Sequence, residues 1–312
     1  MNCKRIVIAL AMLCIAANIA FSQPAFYFLN LNTSARTAAL GGAAVSLPED
    51  GSAIFINPAI LSTVDDPRLS ATFLNHVLDI NSGLVTFSST NESIGHYAVS
   101  ALYTSNGSFQ GADAKGVKTT TFSGNELALS GTYSHALDSN FFYGATLKFI
   151  YSGLEQTSST AIAVDAGLLY QMPKSRVNIG FSLLNIGAQL SKYVTEGESL
   201  PIDVRLGVNH RLRGLPLLVN FSFHHLADET DGFFDKFANI SLGGELTVSK
   251  VIDLRLGYDN RIRTAVASST QRGFSGISAG VGIKTKNILI DYAASSFGSP
   301  ATLHRFSVNF KL

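Results

Sequence analysis

The sequence predicts an all-β fold: a transmembrane antiparallel β-barrel of about 14 strands with a short N-terminal helical plug. Three observations point there. The chain is 46% hydrophobic and only 14% charged, where about 25% charged is ordinary for a soluble domain. Beyond residue 22 no apolar run reaches the length of a spanning helix, which takes about 20 residues. Apolar residues instead recur at every second position, the period of a strand. Lipid offers a backbone no hydrogen bonds, so an oily chain of strands must close its sheet into a barrel.

The first 22 residues read as a signal peptide. Lys4 and Arg5 precede an uncharged apolar stretch from Ile6 to Ala17, and Ala20-Phe21-Ser22 forms a cleavage site before Gln23. Cys14 follows the bulky Leu13, which disfavours a lipoprotein site. Cys3 and Cys14 both lie in the removed segment, so disulfides and cysteine chemistry are excluded from the mature chain. The formal charge of +1 argues against a nucleic-acid partner. The expected location is the outer membrane of the cell, with membrane lipid as the first partner.

Alternation is clearest where Ile202, Val204, Leu206 and Val208 interleave with Asp203, Arg205, Gly207 and Asn209. Ile252, Leu254, Leu256 and Tyr258 alternate likewise with Asp253, Arg255, Gly257 and Asp259, and Phe306, Val308 and Phe310 with Arg305, Ser307 and Asn309. Such runs fall near 68–77, 82–89, 95–105, 125–134, 141–152, 160–171, 176–185, 201–211, 216–225, 238–247, 252–260, 275–285, 287–296 and 303–312. A soluble sandwich would show the same period. Loop lengths distinguish the two: beyond the first hairpin, short turns such as 90–92, 173–175 and 249–250 alternate with long connections at 106–124, 186–200, 226–237 and 261–274. Short periplasmic turns and longer external loops are the asymmetry of outer-membrane barrels. There is no Trp, so the 21 Phe and 10 Tyr must supply the interfacial girdles.

The organisation is therefore a signal peptide (1–22), a plug (23–67) and a barrel (68–312). In the plug, Ser34 is a candidate N-cap for a short helix containing Arg36 and ending at Gly41-Gly42, and Asn57-Pro58 opens a second helical turn. A weakly polar prefix of this size fits inside a barrel.

The stretches from Ser34 to Ala43 and from Asp50 to Ala59 resemble the opening of the PorV/PorQ family of outer-membrane barrels, and Asn57-Pro58-Ala59 is similar, more distantly, to FadL-type transporters. Within the family the PorQ branch is the most similar, through Phe28-Leu29-Asn30-Leu31, Phe73-Leu74-Asn75-His76, Leu200-Pro201-Ile202-Asp203 and His224-His225-Leu226. The resemblance implies a FadL-like barrel of the type IX secretion system. Its expected role is non-catalytic: external loops dock a surface protein of the attachment complex (PorZ-like). Phe109, Tyr193, Phe233 and Phe234 are the candidate aromatic anchors on those loops. The alternative is passive passage of hydrophobic small molecules, as in FadL-type barrels. Ile60 stands where the transporter motif has Gly.

No catalytic residue, metal or cofactor is assigned. Gly276-Ile277-Ser278-Ala279-Gly280 matches a serine-hydrolase string, but that motif needs a turn into a helix, and here the alternation runs on. His224 and His225, as neighbours on a strand, should point to opposite faces and not share a metal. Asp228, Glu229, Asp231 and Asp235 crowd one loop without the spacing of a calcium loop. Gly41-Gly42 lacks the companions of a phosphate cradle and is expected to serve close packing. Inward Lys148, Asp203, Arg205, Asp253, Arg255 and Asp291 are expected to pair with one another or with the plug.

Overall fold

The computed structural model describes residues 26–312 except 77–78, 92, 113–114, 156, 194–196, 231, 267–271, 300 and the side chain of residue 233. The expected signal peptide, Asp231 and the Phe233 ring thus lie outside what is described.

Among the described residues, fourteen antiparallel strands close into one barrel. They are β1 (Arg68–Asn75), β2 (Asn81–Asn91), β3 (Gly95–Ala112), β4 (Lys118–Ala136), β5 (Phe141–Leu154), β6 (Thr157–Met172) and β7 (Val177–Ser191). The second half comprises β8 (Asp203–Arg211), β9 (Leu217–Phe223), β10 (Ile240–Thr247), β11 (Ile252–Asp259), β12 (Ile277–Lys284), β13 (Ile288–Ser296) and β14 (Thr302–Lys311). Every strand pairs with its sequence neighbours, and β1 closes on β14 from Arg68 opposite Lys311 to Asn75 opposite His304. No edge is left unpaired, as lipid requires. Two short helices accompany the sheet, α1 (Ala35–Ala39) in the plug and α2 (Asn260–Ala265) at the outer rim.

The period-two code places the oily residues outside. Phe73 is 53% exposed and Leu256 67%, whereas their strand neighbours Thr72 and Arg255 are buried inward. A continuous apolar girdle of this kind is far beyond what a soluble surface carries. Lipid is its solvent. Two outward aromatic belts bound it. Tyr143 meets Tyr133 and His135 edge to face near the short-turn end, while Tyr103, Tyr151 and Tyr292 lie toward the other. Tyr143 and Tyr151 are eight residues apart on β5, about 26 Å at roughly 3.3 Å per residue before tilt. At the roughly 40° tilt of such strands that length covers about 20 Å of height, within the ~25 Å apolar band of such barrels.

The wall is uneven. Strands β3–β7 run 14–19 residues, and β8–β14 only 7–10. The extra length lies at the external end and corrects two expected loops. Residues 106–124 are mostly ladder: β3 and β4 continue as a hairpin past a register shift between Ser105 and Ser108, with Phe109 opposite Phe122. Residues 186–191 continue β7. The alternation fades there because, above the membrane, both faces of a strand meet water and polar Ser, Thr and Asn suit either side.

Candidate functional site: a plugged lumen with an apolar chamber

The plug begins with a helix too short to stand alone. Ser34 occupies the N-cap of α1, but its hydroxyl makes no cap hydrogen bond; the barrel wall supplies one instead, since the Ala35 N–H donates to Ser307 Oγ at 3.0 Å. Gly41 and Gly42 follow with φ of 65° and 80°, values that L side chains rarely adopt. They let the chain turn against β11, where a Cβ on Gly41 would meet the Tyr258 backbone within 3 Å.

Asn57 is the second rivet. Its side chain accepts from the Ala59 N–H at 3.0 Å and donates to the carbonyls of Val45 at 2.8 Å and Leu168 at 3.0 Å. One amide thus caps a 3-10 turn (Pro58–Thr63), ties the plug to itself and fastens it to β6. Pro58 takes the first position of that turn, as expected, and Ile60 is fully buried.

The wall yields where the plug approaches. Gly144, Gly167, Gly180, Gly243 and Gly257 are inward positions at which a Cβ would fall within 3 Å of plug atoms, mostly backbone. Sequence alternation marks these glycines as inward. It does not reveal what lies against them.

Charge fastens the plug to the wall as well. Arg36 from the plug grips Glu245 of β10 through Nε and Nη2, both at 2.8 Å, and Arg255 Nε shares Glu245 at 2.7 Å while its Nη1 donates to Asp291. Asp253 faces Arg255 at 3.5 Å and also Lys284. Lys148 pairs with Asp165 at 2.6 Å and donates to Asn185 at 2.7 Å. All six expected inward charges are buried and paired. Glu245 and Asp165, the partners, carry no signal in sequence beyond their inward places on strands of regular alternation.

The external half of the lumen is different. Phe26 and Phe28 lie buried against Leu84, Leu102, Ala128, Ile150, Ala161, Ala163 and Leu200, with Leu29, Leu31 and Phe55 beside them. This apolar chamber faces inward from β2–β6, where a water-filled barrel would be polar. Arg305 of β14 is 3% exposed. It donates to the Asn32 carbonyl at 2.8 Å and to Ser295 Oγ at 3.1 Å, and no carboxylate stands within 4.0 Å of it among the described residues.

Above the chamber, a hydrogen-bonded cluster joins the rim. β9 ends at Phe223, and His225 takes a left-handed φ of 55°, which overturns the expectation that His224 and His225 face apart. Their rings meet with Nδ1 atoms 3.1 Å apart. His225 Nδ1 also stands 3.2 Å from Asp203 Oδ2, and His224 Nε2 lies toward Asp259 at 3.6 Å. Arg205 Nε donates to the same Asp203 oxygen, Oδ2, at 2.7 Å, and Oδ1 accepts from the His225 backbone N–H at 2.6 Å. Asp259 caps α2 through the N–H groups of Arg261 and Ile262, and Arg261 reaches Asp228 at 3.3 Å and Tyr27 Oη at 3.0 Å.

Burial pushes the His225 imidazole down to about 3, below an ordinary value near 6.5. The cluster is therefore at full strength above roughly pH 6.5 and weakens as pH falls toward about 3. Hydrogen-exchange protection of residues 224–230 and 260–265, corrected for intrinsic rates, should fall between pH 7 and pH 4. Equal protection at both values would contradict this.

The remaining candidates separate. Phe109 stacks on Phe122 at 5.5 Å along the external hairpin. Phe234 is 83% exposed on a 3-10 turn (Phe233–Ala238). Tyr193 is half-buried beside Ser152, an inward residue of β5. Asp228 is engaged by Arg261, and among the described residues no trio of His, Asp or Glu is arranged for a metal. Ser278 lies inward at the start of β12, in the ladder opposite Gly257 and Ser295.

No family model matches the sequence, and no curated protein matches it. The fold does have solved counterparts. The chain is similar to the CymD monoaromatic hydrocarbon channel (TM-score 0.60, 10% identity, 90% of this chain and 97% of that one). It is similar also to the Pseudomonas putida toluene transporter TodX (0.56, 12%, 88% and 95%). A Pseudomonas aeruginosa FadL homologue superimposes with a TM-score of 0.55 at 12% identity over 89% and 98%. At these identities the likeness defines the architecture alone. The protein has the closed 14-strand architecture of FadL-like outer-membrane β-barrels.

Proposed function

We propose that this barrel takes a hydrophobic small molecule into its lumen while remaining closed to ions. The observation that carries this reading is the inward apolar chamber, filled by the chain's own Phe26 and Phe28. Burying a Phe side chain stabilises by roughly 1.5–3 kcal/mol, so a competing aromatic or acyl group has about twice that to replace when the two rings withdraw. The neighbours named for monoaromatic hydrocarbons and toluene support the same chemistry. Purified protein in liposomes should speed transfer of toluene or a long-chain fatty acid at least tenfold over protein-free vesicles. No acceleration with either would end the reading.

The second reading is a docking component of a type IX secretion system holding a PorZ-like surface protein. It is favoured by apolar side chains beyond the outer aromatic belt: Phe109 is 43% exposed, Phe234 83% and Phe274 76%. Aromatic anchors of this sort dominate protein interfaces. Phe109→Ser with Phe234→Ser should reduce surface display of type IX cargo while the barrel still inserts. Unchanged display would remove this assignment.

A further inference from the structure

We propose that the periplasmic mouth carries an oxyanion site built on Arg176 and Arg211, independent of the luminal chamber. A cavity of about 250 Å³ opens there beside the plug, lined by Arg36, Arg176, Arg211, Asn178, Asn209 and Glu49 among others. At roughly 30 Å³ per water, it holds an oxyanion with part of its hydration shell.

The two arginines are neighbours across the β7–β8 ladder. The Arg211 N–H donates to the Arg176 carbonyl at 3.0 Å, one step beyond the Val177–His210 pair. Like charges so placed repel. No carboxylate lies within 4.0 Å of either guanidinium among the described residues. The Glu49 carboxylate, the one acid on the lining, forms no ion pair by the same measure, and its carbonyl accepts from Arg68 at 3.2 Å.

The surroundings deepen the imbalance. Arg36 is committed to Glu245. Asn209 donates to the Ser46 carbonyl at 2.6 Å and accepts from Asn178 at 2.9 Å. The four neighbouring segments 173–176, 211–216, 248–251 and 284–287 contain Lys174, Arg176, Arg211, Arg213, Lys250, Lys284 and Lys286 and no Asp or Glu. Lys284 alone of these is paired, with Asp253. A cavity rich in donors and poor in acceptors selects an anion, and paired guanidiniums suit the fork geometry of phosphate. The phosphate belongs either to an inner-leaflet phospholipid headgroup or to a soluble phosphate ester, both of which reach this mouth from the periplasm.

The test is calorimetric titration of the full-length protein in detergent. The probes are inorganic phosphate and dihexanoyl phosphatidylglycerol, against sodium chloride of equal ionic strength and dihexanoyl phosphatidylcholine. Saturable heat with phosphate and phosphatidylglycerol is expected if soluble oxyanions enter, and with phosphatidylglycerol alone if the lipid is the source. Arg176→Gln with Arg211→Gln should weaken binding at least tenfold. Arg211→Glu should abolish it while giving Arg176 a cross-strand partner, so the urea midpoint stays equal or rises. The site is overturned if neither probe exceeds its control, if phosphatidylcholine binds as well as phosphatidylglycerol, or if these variants bind like the parent.

Discussion

Gly257→Leu is expected to force the plug off the barrel wall without opening the barrel itself. A Cβ at this position meets Gly41 N, Leu40 C and Ala39 O, all backbone and all within 3 Å. Backbone held by α1 and the Gly41-Gly42 turn cannot step aside as a side-chain tip can. Overpacking of this kind costs about 1–3 kcal/mol and occasionally more, and here it falls on the segment that fills the lumen. Arg36 would lose its seat on Glu245 and become open to trypsin, so cleavage at Arg36 should rise by at least tenfold. The matched control is Gly131→Leu, which adds the same side chain on the lipid face, where nothing lies within 4 Å. Its cleavage should equal that of the parent. Equal cleavage in both variants would mean that the wall glycines do not seat the plug.

The second large effect is expected at Glu245. This carboxylate is 3% exposed and serves two guanidiniums, Arg36 from the plug and Arg255 from the wall. Removing one partner of a buried pair costs about 3–5 kcal/mol, since the surviving charge is stranded. Glu245→Ala strands two, with Asp291 left as the nearest relief for Arg255 alone. Urea unfolding in detergent should therefore show a loss of at least about 3 kcal/mol. Adding Arg36→Met to Glu245→Ala should recover part of it, a coupling that a double-mutant cycle isolates. A loss below about 1 kcal/mol, the range of exposed pairs, would mean that water reaches this network and the plug is not tightly seated.

Much of this architecture was legible in the residues, because lipid enforces strict rules. The alternation from Ile252 to Asp259 maps onto β11 with Asp253, Arg255, Gly257 and Asp259 inward. The short turns at 173–176 and 285–287 emerged where Pro173-Lys174-Ser175 and Lys286-Asn287 placed them. Asn57-Pro58 marked a helical turn for a local reason, since Asn caps and Pro fits the first position. What stayed hidden is what depends on distant chain meeting distant chain. Gly144 and Gly257 read as small inward residues, and only the fold puts Pro58 and Gly41 against them. The pairing of Arg36 with Glu245 spans 209 residues. His224 and His225 defied the strand rule because a single left-handed residue ended β9. The external hairpin leaves no trace in the alternation because Ser105 to Gly111 has no oily face.

These features fit one physical arrangement. Hydroxyl pairs such as Thr72–Ser307 at 2.7 Å and Thr132–Thr146 at 2.9 Å keep part of the inner wall narrow and satisfied. Glycines leave a trough for the plug, and ion pairs hold it there. Toward the outside, the polar lining gives way to the chamber around Phe26 and Phe28.

Conductance in a planar bilayer tests the central claim, that residues 26–67 occlude the barrel. The intact protein should insert without a steady ohmic current, whereas deletion of residues 26–63 should yield a large, stable conductance through the same fourteen strands. A persistent pore in the intact protein, indistinguishable from that of the deletion, would contradict the account.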